Sequence, residues 1–160
     1  MHADTRPTVP TRSYPTRRTG LLAQFDHTGN QAFQSHNYTD AITHYQQARA
    51  YVKPLLFGSC EGADATIAAW VIAHLNLADA CEQLGQSDEQ GLHLCTAHET
   101  LCCAAANTRL ADDWRMAAWQ HSRRTYAELA RYARRYPHHV PTCSALFLGA
   151  VSPQERSFSH

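Results

Sequence analysis

The stretch Gly29-Asn30-Gln31-Ala32-Phe33-Gln34-Ser35-His36-Asn37-Tyr38-Thr39-Asp40-Ala41-Ile42-Thr43-His44-Tyr45-Gln46-Gln47-Ala48 decides how the rest of the chain is read. Tyr38, Ala41, Ile42, Tyr45 and Ala48 recur at i, i+3, i+4, i+7 and i+10, which is one apolar face of a helix of about four turns. Upstream, Leu21, Leu22, Phe25, Ala32 and Phe33 keep helical spacing from Gly20 to Ser35. His36-Asn37 separates the two runs as a turn, and histidine tolerates the left-handed backbone such a turn needs. Helices joined by so short a turn fold back on each other.

Working downstream, Pro54 and Gly58 interrupt the chain, and the stretch to Gly62 reads as a loop. Asp64 is placed to cap a long apolar helix running to Leu84, with Gly85 as its left-handed stop. Ser87 and Gln90 have the spacing of a capping box ahead of a helix carrying Leu94, Ala97, Leu101 and Ala104 on one stripe. Asp112 or Asp113 then caps a last long helix that ends at Tyr136 before Pro137. Nothing alternates with period two, so the expected class is all-α.

Working outward to the ends, residues 1–19 hold three prolines, five threonines and little apolar material, and are expected to form a disordered tail. The helical domain is expected over 20–136, followed by a C-terminal tail over 137–160, partly docked or disordered. Within that tail Cys143 to Val151 is apolar, with Leu146, Phe147 and Leu148. It either docks on the exposed face of the last helix or serves as a short interaction segment.

A chain of 160 residues with 44% apolar content supports one domain with a real core. Its 14 basic and 14 acidic side chains cancel, which argues against a bulk electrostatic role on nucleic acid or membrane. The zero is unevenly built. Residues 1–20 carry +3, residues 21–108 carry −7, and residues 109–135 carry +4. No run approaches the roughly 18 apolar residues of a membrane helix, and no apolar signal core opens the chain. Six cysteines without such a signal predict reduced thiols and a cytoplasmic protein.

The quoted stretch closely resembles a tetratricopeptide repeat. Gly29 matches the small residue where the two helices of the hairpin cross, Tyr38 the aromatic that opens the second helix, and Ala41, Tyr45 and Ala48 its packing positions. Asn76-Leu77-Ala78, Cys81, Leu84-Gly85, Leu94 and Ala97 are similar to a second copy, in which Gln90 or Gly91 stands where the family prefers alanine. Trp119 and Tyr126 look like the aromatic pair of a third first-helix, which would cap the array. The resemblance implies about five antiparallel helices, two repeats plus a C-terminal capping helix. The plan is also similar to small tetratricopeptide-like proteins of proteobacteria, a likeness that brings no activity.

In such arrays the first helix of each hairpin lines a concave groove that binds a partner's peptide or helix. The resemblance therefore implies a groove lined by Asp26, His27, Asn30 and Gln34, by Asn76, Asp79 and Gln83, and by His121 and Arg124. Asp26 and Asp79 would face Arg124 across its floor. Family members that clamp a terminal carboxylate carry lysine where Asp26 stands, which argues against that ligand here. The function expected is a non-catalytic protein–protein interaction module, an adaptor or scaffold that needs no cofactor.

Two other functions stay open. Cys95, His98 and Cys102 share one helix face and have the soft donors of a zinc or copper site, which would make the protein metal- or thiol-responsive. One helix face cannot close a tetrahedron, so a fourth ligand such as Cys81 or His74 would be required, and small buried thiols are the simpler account. The arginines of the last helix suggest a nucleic-acid-associated regulator, but Asp112, Asp113 and Glu128 dilute them. No nucleophile elbow, metalloprotease helix or phosphate-binding loop occurs, so no enzyme is expected. The sequence does not identify the partner or the oligomeric state.

Overall fold

The computed structural model describes residues 20–58 and 62–149. Six α-helices follow one another: α1 (Gly20–Gln34), α2 (Tyr38–Val52), α3 (Ala63–Gln83), α4 (Ser87–Ala106), α5 (Asp112–Arg135) and α6 (Val140–Gly149). A single 3-10 turn, Lys53–Leu55, extends α2. No strand occurs among the described residues, and no helix among them is long and apolar enough to cross a membrane. The described residues are all-α, with one helix more than the five expected; α6 falls in the stretch read as tail.

Two turns set the path. At Ser35–Asn37 the Asn37 amide donates to the Ala32 carbonyl at 2.8 Å, and His36 sits at φ 60°. At Leu84–Gln86 the Gln86 amide donates to the Cys81 carbonyl at 2.9 Å, and Gly85 sits at φ 70°. Both are left-handed helix stops in which a backward bond satisfies a carbonyl the helix leaves open. Each is followed at once by the next helix. Asn37 caps α2 through a bond from the Asp40 amide to its side-chain oxygen.

The other expected caps are displaced. Gly62, Gln86 and Ala111 occupy the cap positions of α3, α4 and α5, and none makes a side-chain cap bond. Asp64, Ser87, Asp112 and Asp113 lie inside the first turns instead, where the three carboxylates oppose the positive end of the helix dipole. Ser87 and Gln90 therefore form no capping box.

Packing centres on α3. Sixteen of its 21 residues are buried, as expected of a helix apolar on all sides. It packs against α2, α4 and α5, while α6 rests on α4 and α5. One cluster joins Leu22, Val52, Ile67, Trp70, Leu75, Leu94, Leu101, Trp114 and Leu129, and a smaller one joins Phe33, Ala41, Tyr45, Leu77 and Ala80. Ala145 of α6 is fully buried and Leu146 packs on the main cluster, so this part of the apolar C-terminal stretch is docked. The expected tail over 1–19 and residues 150–160 lie outside the described residues.

Glycines permit two close approaches. A Cβ on Gly29 would lie 2.6 Å from the Tyr45 ring, so α1 and α2 cross where the sequence places a small residue. A Cβ on Gly91 would lie 2.5 Å from the Tyr132 hydroxyl, which fixes how closely α5 lies on α4.

Candidate functional site

The nine residues expected to line a groove differ in exposure. On α1, Asp26 is buried, His27 and Gln34 are exposed, and Asn30 accepts the Tyr45 hydroxyl at 2.7 Å. On α3, Asn76 is 1% exposed, and neither its amide oxygen nor its nitrogen has a partner among the described residues. Asp79 is half-buried and Gln83 exposed. On α5, His121 lies 2.8 Å from the Asp64 carboxylate, and Arg124 is exposed.

Of these nine, Asp79 alone lines the cleft that opens between α3 and α5. The cleft has a volume of about 430 Å³. One wall is the last part of α3, with Ala78, Asp79 and Glu82; the floor is the start of α4, with Gln90 and Leu94. The other wall is the end of α5, from Glu128 to Tyr136. Its arginines are Arg131, Arg134 and Arg135, beyond the expected Arg124.

Local chemistry holds this shape. Tyr132 reaches over Gly91, and its hydroxyl donates to the Ser87 carbonyl at 2.8 Å, one of the groups at the start of α4. Burial, and then the nearby Asp88 carboxylate, push the Tyr132 phenol up, so it remains a donor. The Tyr136 ring lies 4.8 Å from Tyr132, and the Arg135 guanidinium lies 5.5 Å over Tyr136. Arg135 pairs with Glu82 across the mouth at 3.3 Å, and Arg131 pairs with Glu128 at 2.8 Å.

Charge is layered by depth. The Arg131 and Arg135 side chains are 66% exposed, whereas Glu128 is 23% exposed. Below them Gln90 is 9% exposed, and its buried side-chain oxygen has no hydrogen-bond partner among the described residues. Gln90, Tyr132 and Arg134 are absent from the groove implied by the repeat resemblance. Gln90 was legible only as a polar residue at a packing position where alanine is preferred.

The cysteine and histidine cluster does not converge. His98 is fully buried, with Nδ1 2.8 Å from the Thr125 hydroxyl and Nε2 3.4 Å from the Cys102 sulfur. The Cys95 sulfur lies 3.8 Å from the Thr142 hydroxyl of α6 instead. Burial pushes the Cys95 thiol up, against a smaller lowering from the Thr142 hydrogen bond. No three His, Cys, Asp or Glu side chains among the described residues are grouped to hold a metal ion. The five described cysteines are free thiols; Cys60 lies outside the described residues.

A second histidine pair is buried near Trp70. His74 is 1% exposed, its ring 4.2 Å from Trp70 and 5.9 Å from His93. Both His74 nitrogens lack partners among the described residues. Burial first, then His93 and Arg49, lower its pKa to about 3. The ring is neutral over the physiological range.

No curated protein and no solved structure matches the chain. A family model described as a protein of unknown function, DUF2753, matches residues 24–147. With most of its length matched, the chain belongs to the DUF2753 family.

Proposed function

We propose that this chain is a non-catalytic interaction module of tetratricopeptide-repeat type that binds a partner's peptide in the cleft between α3 and α5. The observation that carries the reading is a cleft of about 430 Å³ walled by charges of both signs, with Gln90 and Leu94 at its floor. Such a site is pre-formed, concave and furnished with a few polar groups, as binding sites are.

Support for the repeat assignment comes from the two turns. Asn37 at φ −92°, ψ 72° and Gln86 at φ −87°, ψ 72° have nearly the same backbone, each after a left-handed residue and each at the head of a helix. Hairpin helices that recur with one turn geometry stack into arrays with a concave side. The scaffold role follows from the same geometry, because the cleft walls come from two successive hairpins.

A photo-crosslinking side chain placed at Arg134, on the cleft rim, tests the proposal in native cells. The same group at Thr43, on the exposed side of α2, serves as control. A discrete protein adduct from position 134 and none from position 43 is expected. No adduct at 134, or the same adducts at both positions, overturns the proposal.

A further inference from the structure

We infer that the α1–α2 hairpin is an acid-released flap, which separates from α3 when the buried histidines at the α2–α3–α4 junction, His74 and His93, take up protons. The inference is independent of what the cleft binds, because the cleft is lined from α3, α4 and the end of α5.

The junction stores unpaired polar groups. His74 is buried with both ring nitrogens unpartnered among the described residues, and the indole nitrogen of Trp70, whose ring is 4.2 Å away, is unpartnered too. His74 is faced by Arg49 from α2 and by His93 from α4, whose ring lies 5.9 Å off, and both oppose a charge on it. Arg49 opposes a charge on His93 as well, while Glu89 of α4 favours one more weakly. From α5, His121 meets Asp64 and Arg135 meets Glu82, ten and eight residues along α3 from His74. On α3 itself the nearest acid in sequence is Asp79. A buried imidazole beside a guanidinium resists charging in place, so protonation favours any arrangement that admits water and removes the guanidinium.

The α2 side is where the junction yields. α1 packs chiefly on α2, and α2 on α3, so the hairpin is held to the rest of the chain mainly through α3; α4 is held by α3, α5 and α6 together. The buried residues of α2 are Ala41, Tyr45, Ala48 and Val52, and the Tyr45 hydroxyl stays bonded to Asn30 of α1. The α2 side of the seam is therefore made largely of small side chains. Separating α2 from α3 withdraws Arg49 and hydrates His74 in one movement, while α3, α4 and α5 stay packed on one another.

Backbone hydrogen exchange of the full chain at pH 7 and pH 5, corrected for the intrinsic exchange rate, tests the inference. Amides of α1 and α2 are expected to be less protected than those of α4 and α5. Their opening constant is expected to rise about 25-fold or more from pH 7 to pH 5, because His74 has a pKa of about 3 when closed and the ordinary 6.5 when open, so the open form takes the proton first. His74→Leu is expected to shrink that rise by about the same factor. Arg49→Met, which keeps most of the stem and removes the cation, is expected to shrink it in part. Equal protection of α1–α2 and α4–α5 at both pH values overturns the inference, since acid would then act on the whole fold at once. So does an α1–α2 opening constant that ignores pH, or the full wild-type rise in either folded variant.

Discussion

Lowering the pH from 7 to 5 should destabilise this protein by about 2 kcal/mol through His74 alone. The folded-state pKa is about 3 against an ordinary value of 6.5. Between those values the unfolded chain takes up a proton that the folded chain refuses. Stability is therefore lost as pH falls below 6.5, by up to about 1.4 kcal/mol per unit, and the loss is complete near pH 3. His93, held below its usual value by burial and by Arg49, adds a loss of the same sign. Against a typical total of about 5–15 kcal/mol this is a large share. Urea denaturation at pH 7 and pH 5 for the wild type and His74→Leu measures it directly. The leucine removes two unpaired buried nitrogens and is expected to leave stability at pH 7 unchanged or higher, despite the lost Trp70 edge contact. Between the two pH values the variant should lose about 2 kcal/mol less than the wild type. An identical pH dependence for both proteins would refute the claim that His74 is buried and neutral.

Two further outcomes are expected. Gly29→Ala drives a methyl into the Tyr45 ring and Gly91→Ala drives one onto Tyr132; each should cost about 1–3 kcal/mol in urea titrations. Tyr132→Phe should soften the second penalty and leave the first untouched, because only the Gly91 site meets the hydroxyl. In thiol labelling of the native chain, Cys103 and Cys143 should react readily while Cys81, Cys95 and Cys102 wait for unfolding; fast labelling of Cys95 would contradict its burial.

What the sequence revealed and what it hid have separate causes. Helical periods and turn residues are local properties, so the breaks at His36 and Gly85 could be read directly, while the glycine at the α1–α2 crossing was implied by the repeat resemblance. Cap positions slipped by one or two residues because Asp64 and Ser87 suit the first helical turn as well as the cap. The site was harder. Asn76 and Asp26 look like surface polar residues in any single-helix projection, and only the packing around them decides that they are buried. The cleft joins residues 78–94 to residues 128–136, and no local pattern encodes that pairing. Arg131, Arg134 and Arg135 read in sequence only as part of the basic last helix, which leaves their position on the cleft rim invisible.

The ties between α3 and α5 have a mechanical consequence. Asp64 meets His121 near the start of α3, and Glu82 meets Arg135 at its end. Both contacts involve exposed carboxylates, Asp64 at 70% and Glu82 at 37%. The Glu82–Arg135 pair is worth only about 0–1 kcal/mol and weakens as salt rises, whereas the apolar packing on α4 beneath it does not. Ionic strength thus acts as an aperture control: it loosens the Glu82–Arg135 strap across the opening while the floor keeps its shape, so the span between the walls responds to the medium before stability does.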